Sequence, residues 1–199
     1  MFVQVIEGKV SDKSALRRQL DRWHDEIRPG ATGFLGSTTG VTDDGVGFAI
    51  VRFESAAAAK ANSERAEQGA WWSETERCFD GPVSFTDSED VEEFLGGGSN
   101  DAGFVQVMKT ATSPDRAVVK DLDDEFEKHA GTWRPDLLGG VRIWTGDAST
   151  VEVNYFTSEA EARENEKKEP PAELAELFAQ YADVIANTEF VDLRDPWLY

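Results

Sequence analysis

The chain has 199 residues and a net charge of −19 at pH 7, from 20 Lys and Arg against 39 Asp and Glu. A field of that sign repels phosphate backbones and anionic lipid, so neither nucleic acid nor a membrane is expected as a partner. The single cysteine, Cys78, excludes an internal disulfide and fits a reducing compartment, and no apolar run approaches the roughly 20 residues of a membrane span.

Met1 is followed at once by a strand pattern, which predicts no signal peptide and a cytoplasmic location. In that strand Phe2, Gln4 and Ile6 share one face and Val3 and Val5 the other, so apolar residues on both faces predict cover on both sides. Ser11 reads as the N-cap of a helix beginning at Asp12, and Leu16, Leu20, Trp23 and Ile27 form its buried stripe before Arg28-Pro29-Gly30 stops it. Residues 33–39 and 47–53 read as strands joined around Asp44-Gly45. Ser55 caps an alanine-rich helix to about Gln68, Gly69 breaks it, and helix resumes over 70–79 with Trp71-Trp72 near its start. A strand over 83–87 and a short helix over 88–95 precede Gly96-Gly97-Gly98-Ser99-Asn100, which reads as a flexible linker.

The same order then returns. Phe2-Val3-Gln4-Val5 recurs as Phe104-Val105-Gln106-Val107, Arg28-Pro29 as Arg134-Pro135, and Phe53-Glu54-Ser55 as Phe156-Thr157-Ser158. Lys60 and Asn62 face Arg163 and Asn165, and Phe85-Thr86-Asp87 faces Phe190-Val191-Asp192. In the second copy Ser113-Pro114 reads as the helix start, with Val118, Leu122 and Phe126 as its stripe. Strands are expected at 140–145 and 150–156. Pro170-Pro171 interrupts the following helix, which continues through Leu174, Leu177, Phe178 and Tyr181. A last strand over 190–193 leads into an apolar tail, Pro196-Trp197-Leu198-Tyr199, expected to dock.

Each copy is therefore β-α-β-β-α-β, the ferredoxin-like arrangement. The expected fold is α+β, with two tandem ferredoxin-like repeats at 1–95 and 104–199 and a Gly-rich linker at 96–103. A four-stranded sheet with helices on one face leaves the other bare. Two such sheets are expected to pair as an intramolecular pseudo-dimeric eight-stranded α+β barrel, with a further homodimer left open.

The order of elements, the Ser55-led alanine-rich helix after the third strand and the broken second helix carrying Trp71-Trp72 resemble the dimeric α+β barrel superfamily. More narrowly, they are similar to antibiotic biosynthesis monooxygenase-like domains in tandem. The resemblance implies a range that includes cofactor-free quinol oxygenases, haem-degrading oxygenases, isomerases and members without known activity. Haem-degrading members use an asparagine on the first strand with a tryptophan and a histidine on the second helix. This chain has Gln4 and Gln106 there and no histidine in either second helix, which argues against haem.

The only histidines are His24 and His129. His24 borders the buried stripe and reads as a general base for a phenol or quinol, against the plainer reading of a half-exposed histidine at a helix C-terminus. Trp23, Trp71 and Trp72, with Asn62, read as the lining of an aromatic ligand pocket, against the plainer reading of core. Trp133 and Trp144 carry the same two readings. Asn62 and Asn165 recur at matching places and suggest a shared structural hydrogen bond. The acidic run Asp121, Asp123, Asp124 and Glu125 reads as a solvated helix face rather than a metal site.

No metal and no cofactor is called for, because a deprotonated quinol can itself reduce oxygen. The expected function is a small-molecule protein of monooxygenase type acting on an aromatic or polyketide-like compound. The alternative is a non-catalytic ligand-binding or interaction module. The second copy has Pro171-Ala172 where the first has Trp71-Trp72, which predicts an asymmetric site in one half.

Overall fold

The computed structural model describes residues 1–199, and the side chains of all but 177, 180, 181, 183, 184 and 185. Leu177 and Tyr181 of the expected stripe thus lie outside the described side chains. The first copy runs β1 (Phe2–Lys9), α1 (Lys13–Arg22), a π-helical turn (Trp23–Ile27), β2 (Phe34–Val41), β3 (Val46–Phe53), α2 (Ala56–Ser63), α3 (Ala66–Thr75), β4 (Ser84–Ser88) and β5 (Val91–Phe94). The second runs β6 (Phe104–Thr110), α4 (Arg116–Trp133), β7 (Leu137–Trp144), β8 (Thr150–Phe156), α5 (Glu159–Asn165), α6 (Ala172–Ala186), β9 (Thr188–Leu193) and β10 (Trp197–Leu198).

These form two compact units, residues 1–90 with 195–199 and residues 91–194. Each holds one antiparallel five-stranded sheet, ordered β10-β2-β3-β1-β4 and β5-β7-β8-β6-β9. The expected sheets had four strands each and closed together into eight; the strand pairing instead gives two separate sheets of five. The fifth strand is an exchange. Within residues 88–95, expected to be helical, Val91–Phe94 form β5, which pairs with β7 through Val91↔Ile143 to Phe94↔Gly140. The tail docks as expected, as β10 on β2.

Glycine at the bulge of each β2-type strand admits the fifth strand. Gly36 has φ +150°, and a Cβ there would lie 2.7 Å from the carbonyl oxygen of Tyr199. Its counterpart Gly139 has φ +156°, and a Cβ there would lie 2.3 Å from the carbonyl oxygen of Gly97. Both positions coincide with a register shift between the β2–β3 and β7–β8 pairs. A side chain at either place would push the added strand away.

In β1, Val3 and Val5 are buried on one face and Phe2 on the other, as the apolar pattern on both faces predicts. Asp12, not Ser11, caps α1, accepting from the Ala15 N–H at 2.8 Å; the Ser11 hydroxyl instead donates to the Cys78 carbonyl at 3.0 Å. Likewise Asp115, not Ser113, caps α4 by accepting from the Ala117 N–H at 2.8 Å. The α4 stripe is shifted too: Val119 and Ala130 are buried, while Val118, Leu122 and Phe126 are half-buried. Gly69 lies inside α3. The break falls at Arg65, whose extended backbone turns the chain while its guanidinium donates to the Ile27 carbonyl and to Asn62 Oδ1, both at 3.0 Å. Among the described residues no helix is long and apolar enough to cross a membrane.

Candidate functional site

The first unit contains a cavity of about 660 Å³ between its sheet and its helices. Its floor follows from the strand register. Phe34, Phe53 and Phe2 stand side by side across β2, β3 and β1; Ser37, Val51, Gln4 and Asp87 form the next row; Thr39, Ala49, Ile6 and Phe85 form the third. All eleven line the cavity. The alternation of β1 therefore places one polar group, Gln4, between two apolar ones on the helix-facing side.

The roof comes from α1, the π-helical turn, α2 and α3. Trp23 lies edge-on to Phe34, with ring centroids 4.8 Å apart, and 6.3 Å from Trp71. Trp71 is followed by Trp72 at 6.0 Å, which meets Phe85 edge-on at 5.3 Å. Two indole N–H groups are pinned, Trp23 to Gln68 Oε1 and Trp71 to the Gln19 carbonyl, each at 2.7 Å. Trp71 is buried and Trp72 half-buried, so neighbours about 100° apart on one helix supply an inner wall and an outer wall.

The polar features of the floor are few and held in place. Gln4 Nε2 donates to Asp87 Oδ1 at 2.8 Å, which orients the amide and fixes one carboxylate oxygen. Asp87 is the one carboxylate in the described lining, and it stands on the edge strand β4, where the cavity meets solvent. Lys60 also lines the cavity, but its ammonium is 2.6 Å from Glu64.

The structure thus gathers four of the five residues singled out from the sequence, Trp23, Trp71, Trp72 and Asn62, into one lining. Asn62 is a buried structural partner of Arg65, whereas Asn165 donates to the Glu161 carbonyl at 2.9 Å, so the recurring asparagines do not share one hydrogen bond. His24 is not in the lining. The π-helical turn keeps Trp23 and Ile27 buried and turns His24 toward the C-terminal tail, where its ring lies 4.6 Å from that of Tyr199. Its Nε2 is 3.3 Å from the Arg28 guanidinium, which can only donate, so this nitrogen is the acceptor. Gln4 and Asp87 were not singled out. The signal was present, since Phe-x-Gln and Phe-x-Asp both recur in the two copies, but the pairing of β1 with β4 is what joins them.

The second unit answers the remaining candidates. Trp133 packs edge-on to Phe126 at 5.9 Å and against Phe178 at 5.6 Å, and the Arg116 guanidinium lies 4.1 Å from the Trp144 ring. Of the acidic run, Asp123 pairs with Arg142, Asp124 with Lys120 at 2.8 Å, and Glu125 lies 3.2 Å from His129. Among the described residues no group of three or more His, Cys, Asp or Glu is arranged to hold a metal.

No protein-family model matches the sequence, and no curated protein matches it. Solved structures share its fold over its whole length. A candidate monooxygenase from Fusobacterium nucleatum has a TM-score of 0.77 at 9% identity, covering 99% of this chain and 93% of that one. A candidate monooxygenase from Lactobacillus acidophilus has a TM-score of 0.70 at 12% identity, covering 100% and 98%. An anthrone oxidase-like protein has a TM-score of 0.63 at 9% identity, covering 99% and 92%. At such identities the likeness is one of fold: α+β, with two antiparallel sheets in one chain as tandem ferredoxin-like repeats would give.

Proposed function

We propose that this chain binds an aromatic, polyketide-like compound in the cavity of its first unit and acts on it as a monooxygenase-type enzyme. The observation that carries the reading is the lining itself: an aromatic-walled space of about 660 Å³ with one anchored polar pair, Gln4 and Asp87. That volume falls in the range of small-molecule sites and admits a polycyclic aromatic compound, and apolar walls with few convergent polar groups are what such ligands need. In the proposed reaction a hydroxyarene loses its hydroxyl proton, and the electron-rich arenolate reduces oxygen. One oxygen atom replaces a ring hydrogen to give the quinone, and the other leaves as water with the two hydrogens lost. The substrate supplies every electron.

A second reading is favoured by one observation: His24, the general base expected for this chemistry, lies outside the cavity lining. On that reading the chain holds the same ligand without turning it over. Oxygen uptake by the purified chain with hydroxynaphthalenes and hydroxyanthracenes separates the two. Uptake above the uncatalysed rate that falls in Trp72→Ala supports the enzyme. Saturable binding without uptake supports the binding module, and neither binding nor uptake sinks both.

A further inference from the structure

The second unit fills from within the chain the place that the first leaves open. Arg163, the counterpart of Lys60, lays its guanidinium 5.3 Å from the Phe104 ring centroid and donates to Asp192 Oδ2. Gln106 Nε2 donates to the other oxygen of Asp192 at 2.9 Å, and Arg194 Nη2 approaches Oδ2 at 3.4 Å. A planar cation therefore lies on an aromatic ring and ends on a carboxylate that a glutamine holds.

Phe2, Gln4 and Asp87 occupy the same three places in the first unit, with the same glutamine–carboxylate bond at 2.8 Å. The cations are missing. Lys60 is spent on Glu64 at 2.6 Å, and the counterpart of Arg194 is the acidic Glu89. Among the described residues nothing donates to the second oxygen of Asp87, and Phe2, Gln4 and Asp87 all line the cavity.

We propose that the ligand itself supplies this cation: the cavity takes an aromatic compound bearing a planar protonated nitrogen group, an amidinium, a guanidinium or a protonated ring nitrogen, whose N–H donates to Asp87. Three physical effects act together. A charge-assisted bond to a carboxylate is about twice as strong as a neutral one. Aromatic walls attract a cation through their ring faces. The net charge of −19 concentrates cations and depletes anions around the protein. The inference rests on the cavity being the ligand site, and it narrows the substrate class to nitrogenous aromatics.

The test is calorimetric binding of 2-naphthamidine, 2-naphthamide and 2-naphthoate, which share a shape and differ in charge. The amidine is expected to bind about ten-fold tighter than the amide, and the carboxylate weakest. Asp87→Asn should bring the amidine to the affinity of the amide and leave the amide unchanged. Asp192→Asn, in the second unit, should leave the ranking intact. Should Asp87→Asn fail to fold, Asp87→Ser and the loss of the preference at high salt read the same contact. Amide and amidine binding equally, or a preference that survives Asp87→Asn, overturns this inference and leaves the aromatic cavity standing. If none of the three binds, the cavity reading falls with it.

Discussion

The phenolic hydroxyl of Tyr199 donates to Asp21 Oδ1 at 2.6 Å, joining residues 178 positions apart. The backbone beside it is paired twice, Ser37 N–H to the Tyr199 carbonyl at 2.8 Å and Tyr199 N–H to the Ser37 carbonyl at 3.0 Å. The Arg17 guanidinium lies 5.1 Å from the Trp197 ring and 5.7 Å from the Tyr199 ring. The last residues of the chain thus belong structurally to the first unit, and they form the far edge of the sheet that floors the cavity.

That contact makes the tail sensitive to alkaline pH. Burial first, and then the hydrogen bond to Asp21, push the Tyr199 phenol up to about 12. A group whose folded value is raised contributes stability that is fully present below its unfolded value, about 10 for tyrosine, and lost as pH climbs through the folded value. The advantage of the wild type over Tyr199→Phe should therefore be constant below about pH 10 and shrink between there and about 12. Phenolate absorbance, taken as wild type minus Tyr199→Phe, should titrate near 12. A difference curve centred at the ordinary tyrosine value would show that the tail does not dock in this way.

Arg142 should be the most costly single residue to lose in the second unit. It is buried on β7, with Glu152 at 2.8 Å from β8, Asp123 at 3.0 Å from α4 and Glu92 at 3.5 Å from β5. Burial works against its charge, but Glu152 and Asp123 outweigh it and hold the guanidinium above its ordinary value. Arg142→Met should cost about 3 kcal/mol in urea unfolding, because three carboxylates lose their shared cation. A loss below about 1 kcal/mol would place this network with ordinary surface pairs.

The adjacent tryptophans should separate stability from binding. Trp71 is buried and its N–H is held by the Gln19 carbonyl, so Trp71→Ala should cost about 3 kcal/mol or more. Trp72 is half-buried at the outer wall, and Trp72→Ala should cost markedly less while weakening aromatic ligands about ten-fold. The reverse ranking in paired urea and binding measurements would move the ligand away from the outer wall.

Helix capping gives a smaller and sharper check. Asp12→Ala and Ser55→Ala should each cost about 1 kcal/mol, since each side chain accepts an otherwise unpaired helical N–H. If Ser11→Ala proved the costlier of the neighbouring pair in thermal unfolding, the cap would belong to Ser11.

The repeat was legible because it is written in residue types whose roles are local. Serines before alanine-rich helices, a glycine in the hairpin turn and alternating apolar positions in strands act through their immediate neighbours, so their order predicts elements. Trp23, Trp71, Trp72 and Asn62 come together around one cavity for the same reason, because buried helix faces converge on the sheet they cover. His24 lies outside that lining because a π-helical turn begins at Trp23, and adjacency along the chain then gives no guide to direction. The acid at 12 took the cap from the serine at 11 because the Ser11 hydroxyl is engaged by the Cys78 carbonyl, 67 positions away.

By itself the sequence determined that this protein is strongly acidic, that its order of elements returns once, and that three of its six tryptophans fall in each half. Tertiary structure alone decided where β5 and β10 pair, because a short strand is placed by which sheet edge is free and which glycine leaves room for it. It also decided that Gln4 meets Asp87 in an open cavity while Gln106 meets Asp192 beneath an arginine. Both copies carry the same glutamine and the same aspartate. Part of the difference is residue type, Glu89 against Arg194; the rest is where Lys60 and Arg163 find their carboxylates, which only distances in space settle.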